Sequence, residues 1–373
     1  APTLDTVVSA ATSTSVITST ADTTTATDAT VTFAKDATLT NEAAYIKVVT
    51  NNASGVSQAE SYTAIVTSGP GLLGAAAAAN NNALVQAPAA TGRALTVKNG
   101  HVVQIFPDGT SGVSTITISS AAGVILATKK VTFYGDATKI VAASNALTTG
   151  AVGKVGTALN LIKFNVYDAA GTEVTTGSFY VVTSDVAIAN ATAYTATGSY
   201  DATKGYWTAP VTGVAKGTAS LYITNRASAT ATTPAVEVKS STVSIRVGTT
   251  TPASVSVTTD KSSYAPGEKA TLTVTLKDAD GNVLPSGDYT GIFATGGIVA
   301  SYTLGSGSDT TTATAVTSTV DGAKAYTVYM PVTEGDVKFS WTTGSTAAAA
   351  GAGLATANQA VAGSVTVSVS SVA

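Results

Sequence analysis

A pattern that occurs three times limits what this chain can fold into. Its last copy runs Ala253-Ser-Val-Ser-Val-Thr-Thr-Asp260, then the corner Tyr264-Ala-Pro-Gly-Glu268, then Thr271-Leu-Thr-Val-Thr-Leu-Lys-Asp-Ala-Asp-Gly-Asn282. This reads as a strand, a corner, a second strand and a tight turn. In the second copy, Gly156-Thr-Ala-Leu-Asn-Leu-Ile-Lys-Phe-Asn-Val-Tyr-Asp168-Ala-Ala-Gly171 repeats the second strand and the turn. The first copy, Ala44-Tyr-Ile-Lys-Val-Val-Thr-Asn-Asn-Ala-Ser-Gly55-Val56, is looser. A unit recurring about every hundred residues implies a string of small domains, each with its own core, rather than one large core.

Two further landmarks recur in each block. A glycine turn leads into an alternating strand at Gly109–Ile118, Gly217–Ile223 and Gly335–Trp341, and a closing strand follows at Lys130–Tyr134, Thr242–Val247 and Ser364–Val369. Apolar residues at every second position put one face in a core and the other in water. Thr and Val, branched at Cβ, suit such pleated, half-buried surfaces. The expectation is therefore all-β: tandem β-sandwiches in an elongated array. The expected divisions are an N-terminal Thr/Ser-rich arm over 1–27, a divergent sandwich over 28–135 with an Ala-rich insertion at 69–92, a second sandwich over 136–248 and a third over 249–373. The linkers are short, which predicts semi-rigid joints.

The segment Thr258-Thr-Asp-Lys-Ser-Ser-Tyr-Ala-Pro-Gly-Glu-Lys-Ala-Thr-Leu-Thr-Val-Thr-Leu-Lys-Asp-Ala-Asp-Gly-Asn-Val-Leu-Pro-Ser-Gly287 resembles bacterial Ig-like domains of the invasin and intimin type. The resemblance is good over 252–290, fair over 137–247 and weak over 28–135. It implies a fold and not an activity, because tandem domains of this kind occur in adhesins, S-layer proteins and phage surface proteins. The Ala/Thr/Ser/Val bias also resembles S-layer proteins. Ala1 with a single methionine, Met330, reads as a mature exported form after signal-peptide removal, or as a trimmed fragment.

Composition narrows the chemistry. Net charge is −3 with 19 Lys and Arg, so no basic patch is expected to neutralise phosphates, and nucleic acid is not an expected partner class. There are no cysteines for disulfides or thiolate metal sites. No apolar run approaches the roughly 20 residues of a membrane span. The only histidine, His101, has no nearby partner for a zinc site or a nucleophilic triad and reads as structural. No phosphate-binding loop and no Gly-x-Ser-x-Gly are present, so an enzyme is not expected.

Asp278, Asp280 and Asn282 resemble the first half of a calcium loop, and Ca2+ is the one ion this pattern suggests. The bidentate Glu of a complete loop is missing, and the same spacing also makes a β-turn capped by its Asp. Asp136, Asp260 and Glu268 form a rival oxygen set at the domain junctions. Trp207 reads either as a packed residue or as a sugar-stacking platform. Asn52-Ala-Ser54 and Asn190-Ala-Thr192 match glycosylation sequons and are treated as incidental.

The expected role is a structural surface protein that self-assembles into an S-layer lattice or filament. An adhesin stalk or a phage decoration protein is the alternative. The expected partner is a further copy of the chain, with a cell-envelope glycan as a second. Contacts would come from the Ala-rich stretches at 69–92 and 344–360, and from the arm 1–27 and terminal strand 364–372, each read as able to add to a neighbouring sheet.

Overall fold

The computed structural model describes residues 5–19, 27–35, 42–77, 92–144, 150–344 and 354–371. Among them every regular element is a strand except one 3-10 turn, Thr356–Asn358. The alternation seen in the sequence is the cause. In Lys269–Lys277, Ala270, Leu272, Val274 and Leu276 are buried, while the Thr residues between them are half-buried. Among the described residues no helix is long and apolar enough to cross a membrane.

The chain divides into two compact units, 1–140 with 165–177, and 141–164 with 178–373. In the first unit, one sheet has the order Thr14–Thr18, Ala44–Val49, His101–Phe106, Leu72–Ala77. The other runs Thr32–Ala34, Ile125–Tyr134, Gly112–Ser120, Tyr62–Ser68, Ala94–Val97. Ile17, Ile46, Val103 and Ile105 from the first sheet share one core with Tyr62, Ile116, Ile118 and Phe133 from the second. Two sheets that interdigitate inner faces in this way form a β-sandwich.

The second unit holds two such pairings. Ala158–Tyr167 (to Phe164 in this unit), Tyr206–Thr212 and Tyr200–Asp201 face a sheet ordered Val152–Lys154, Val243–Gly248, Gly217–Thr224, Tyr180–Thr183, Tyr194–Ala196. Phe179 bridges the gap by meeting the Trp207 ring edge-on at 5.0 Å. The last pairing sets Ser254–Thr259, Lys269–Lys277 and Ala323–Tyr329 against Ser263–Tyr264, Ala362–Val369, Gly335–Thr343 and Phe293–Ala300. Leu272, Val274, Val328, Ile298, Val337, Phe339 and Val367 fill its core. The fold is all-β, of Ig-like sandwich type.

Three expectations about the segments outside the repeat change here. Within the stretch 1–27, Thr14–Thr18 is not a free arm, because it pairs antiparallel with Ala44–Val49 and Ile17 is buried in the core; residues 1–4 and 20–26 lie outside the described residues. The terminal strand Ala362–Val369 is also spoken for. It pairs along its length with Gly335–Thr343, and at Ser368 and Val369 it pairs in parallel with Ser263–Tyr264. Both segments bury side chains within their own sandwiches, and Thr14–Thr18 lies at the edge of its sheet. In the Ala-rich stretch, Leu72–Ala77 is a strand against His101–Phe106. The rest of that stretch, 78–91, and most of the second one, 345–353, lie outside the described residues.

Candidate functional site: a turn built three times

The same turn is made at Asn52, Asp168 and Asp278, with the same bonds each time. The side-chain Oδ1 accepts the N–H groups two and four residues on: Ser54 and Val56, Ala170 and Thr172, Asp280 and Asn282. The backbone N–H of the first residue donates to the carbonyl four residues later, at Val56, Thr172 and Asn282. Gly55, Gly171 and Gly281 take φ of 77°, 80° and 79°, the left-handed region where a side chain is costly. Asn and Asp are suited to the first position because a short side-chain oxygen can bond its own backbone two residues on.

The turn residue is nearly enclosed each time, at 3%, 4% and 3% exposure for Asn52, Asp168 and Asp278. Its second polar atom therefore needs a partner. In the first unit, Asp168 Oδ2 accepts the N–H of Gly135 at 2.7 Å, directly after strand Ile125–Tyr134. Burial alone would raise this carboxyl. The N–H groups of Gly135 and Thr172, the Ser111 hydroxyl and the Ala170 N–H outweigh it and hold Asp168 below the ordinary Asp value. The neighbouring side chains reinforce the contact, with Tyr134 and Thr176 hydroxyls bonded and Thr32 bonded to Thr175 at 2.9 Å.

The second unit makes the joint differently. Asp278 Oδ2 has no hydrogen-bond partner among the described residues, and the Lys216 ammonium lies 3.9 Å away while bonding Asp280. Arg246, on Val243–Gly248, donates to the carbonyl of Val283. A second clamp comes from Asp321. Both its oxygens accept the Ala151 N–H at 2.8 Å, and Oδ1 also takes the Val152 N–H at 3.0 Å. Gly150 must lack a side chain here, since a Cβ would stand 2.4 Å from Asp321 Oδ1 and from Ser286 Oγ.

For the calcium candidates, the structure thus places Asp278, Asp280 and Asn282 on one turn. Asp278 Oδ1 is occupied by two N–H groups, and a lysine ammonium faces both carboxylates. Among the described residues no three His, Cys, Asp or Glu side chains are grouped to hold a metal. Of the rival set, Asp260 Oδ1 accepts the Tyr264 hydroxyl and the Thr271 N–H, and Glu268 accepts the Ala265 N–H and the Lys261 ammonium. Both bind the local corner. Asp136 is exposed, in the other unit.

The remaining candidates are absorbed by packing. Trp207 is 2% exposed, stacked on Phe164 at 5.8 Å and met edge-on by Tyr200 at 6.0 Å, so no face is open to a sugar. The carbonyl of His101 accepts the Tyr62 hydroxyl at 2.6 Å at a strand start. The sequon residues Asn52 and Asn190 are both buried. Sequence reading did not find Lys216, Ser111 or Asp321. The first two carry a positional signal, since each immediately precedes the recurring glycine, at Gly217 and Gly112, that opens an alternating strand. Asp321 carries none.

No protein-family model matches the chain, and no curated protein matches it. Similar solved structures include the S-layer protein SbsC, 13% identical over 87% of this chain and 37% of that one, with a TM-score of 0.23. The Escherichia coli adhesin FdeC is 16% identical over 99% of this chain and 100% of its own, with a TM-score of 0.26. Invasin, a bacterial integrin-binding protein, is 14% identical over 96% and 60%, with a TM-score of 0.25. The chain spans little more than a third of SbsC and less than two thirds of invasin. These three similar structures are bacterial surface proteins, and a beta-glycosidase from Bacteroides vulgatus is similar as well, 11% identical over 62% of this chain and 25% of that one, with a TM-score of 0.27.

Proposed function

We propose that the chain is a structural protein of a bacterial cell surface, whose jointed sandwiches set the repeat distance of a self-assembled S-layer lattice or filament. One observation carries this reading: the turn at Asn52, Asp168 and Asp278 is rebuilt bond for bond, and at Asp168 its second carboxylate oxygen holds the backbone of Gly135. A buried carboxylate met by fixed backbone donors, as at Asp168, stiffens the backbone around it, which suits a spacer. Contacts between copies that do not close then generate sheets or filaments.

Electron microscopy of the purified chain in millimolar calcium and after chelation tests this. Ordered sheets or filaments are expected in both conditions, because Lys216 already supplies the cation facing Asp278 and Asp280. Order that vanishes on chelation would assign calcium to Asp278, Asp280 and Asn282. Single particles in both conditions would overturn the array and favour an adhesin stalk.

A further inference from the structure

The second sandwich departs from the other two at one place on its outer surface. The recurring alternating strands align on their opening glycines, Gly112, Gly217 and Gly335, so Tyr222 stands where Thr117 and Ser340 stand. All three point away from the core, since Ile116, Leu221 and Phe339 just before them are buried in it. Across the ladder each meets an outward aliphatic residue: Ile65 opposite Thr117, Val182 opposite Tyr222 and Val299 opposite Ser340. Ile65 and Val299 are 37% and 51% exposed, whereas Val182 is 6% exposed. Tyr194 flanks Val182 on its other side, at the position Ala94 takes beside Ile65, and its hydroxyl is bonded to that of Tyr222. Two rings whose hydroxyls meet across Val182 lie over it. The other two sandwiches fold with this position open, so the core does not require the roof.

The hairpin beside this row is rebuilt as well. In the first sandwich Ser120 and Val124 bond across a tight turn. In the second the bonded ends are Asn225 and Val238, and they enclose 226–237. Hairpin loops usually hold about two to five residues, and longer ones are mostly functional. Arg226 orders this one by donating to the carbonyls of Pro234 and Ala235 at 3.2 and 2.8 Å. The returning arm brings Glu237 and Lys239 to the tyrosines. Lys239 Nζ lies 5.4 Å from the centre of the Tyr222 ring and 3.3 Å from Glu237 Oε2, while Glu237 Oε1 accepts the Thr224 hydroxyl at 3.0 Å. The Tyr222 ring is thus capped by an ammonium. The Tyr194 ring meets no other ring and no cation among the described residues.

We propose that this face, Tyr194 and Tyr222 with Glu237 and Lys239, binds a neutral oligosaccharide. A pyranose carries C–H groups on its faces and hydroxyls around its rim. The Tyr194 ring offers a platform to the C–H face. The tyrosine hydroxyls, the carboxylate and the ammonium offer acceptors and donors to the rim. Glu237 and Lys239 neutralise each other, which suits an uncharged ligand. A protein partner fits less well, because the core of a protein interface is depleted of charged groups and this face carries an ion pair beside its rings. A chain that never assembles would carry the same face, so this site and the array stand or fall separately.

NMR titration of the whole chain, with its tyrosine rings labelled, by cellohexaose, chitohexaose and mannohexaose tests the site. At least one sugar is expected to bind with a Kd of about 1 mM, as a shallow platform allows, and to shift the ring signals of Tyr194 and Tyr222. Tyr194→Phe keeps the ring, identifies the Tyr194 signal by its loss, and is expected to bind within about threefold of the parent. Tyr194→Ala removes the platform and is expected to weaken binding about tenfold. Tyr194 is half-buried and lies outside the core, so both variants keep the fold, which thermal melts verify. The shifts in the parent locate the site without any variant. Ring signals that ignore all three sugars overturn the proposal, as do shifts confined to other tyrosines, or Tyr194→Ala binding as tightly as the parent. Shifts that appear only on concentrating the chain would give the face to a second copy and overturn it too. Ordered arrays in micrographs of a chain that binds none of the sugars would overturn this site while leaving the array reading in place.

Discussion

Replacing Asp168 with alanine is expected to destabilise the chain by about 3 kcal/mol, the cost of losing charge-assisted bonds and leaving a buried N–H without a partner. Its carboxylate accepts the N–H groups of Ala170, Thr172 and Gly135 while 4% exposed. Asp168→Asn separates the two jobs of this residue. The amide keeps Oδ1 for the turn, as Asn52 does, but turns an NH2 toward the Gly135 N–H, so about half of the loss is expected. Urea unfolding followed by Trp207 fluorescence measures both. The pH dependence has a defined sign. Hydrogen bonds hold the folded-state value below that of the unfolded chain. The contribution is therefore fully present above about pH 4, the unfolded Asp value, and is lost as pH falls through the folded value. The gap between parent and D168A should accordingly close in acid. A gap that is the same at neutral and acid pH would remove the ionised carboxylate from the account.

Trp207→Ala is expected to cost about 4 kcal/mol, the upper part of the range for emptying a large aromatic site. The indole fills the centre of a ring cluster with Phe164, Phe179 and Tyr200, and edge-to-face contacts add to the buried area. Trp207→Phe should recover more than half of the loss. Thermal melts of the three forms decide it. A loss below about 1 kcal/mol would mean the ring is not core, and would reopen the sugar-platform reading for this residue.

The strands and tight turns were legible because their causes are local. Alternation over Lys269–Lys277 shows which face is buried, and Asp-x-x-Gly at 168 and 278 needs only a side-chain oxygen and a glycine. The first turn was harder to see, because Asn52 replaces the Asp and Ser57 replaces the larger residues Glu173 and Val283. Its hydrogen bonds are nevertheless identical in kind. What each turn does was not legible. Whether a buried carboxylate oxygen meets Gly135, Lys216 or a metal ion depends on residues tens of positions away, which no local pattern reports. The Asp321 clamp on Ala151 and Val152 spans about 170 positions and carries no motif. The terminal segments misled for a related reason. Alternation at Thr14–Thr18 and Ala362–Val369 marks a strand but does not name its partner, and partners within the same sandwich were available.

The central claim is that the Asp168 and Asp321 carboxylates clamp backbone N–H groups within their own units. Amide hydrogen exchange at Gly135, Ala151 and Val152 tests it most directly. These N–H groups donate to the side chains of Asp168 and Asp321. Exchange about a thousandfold slower than in an unstructured peptide is expected, close to that of neighbouring strand amides such as Phe133. Exchange at the unstructured rate, while Phe133 stays protected, would show that these carboxylates do not hold the backbone and would contradict the account.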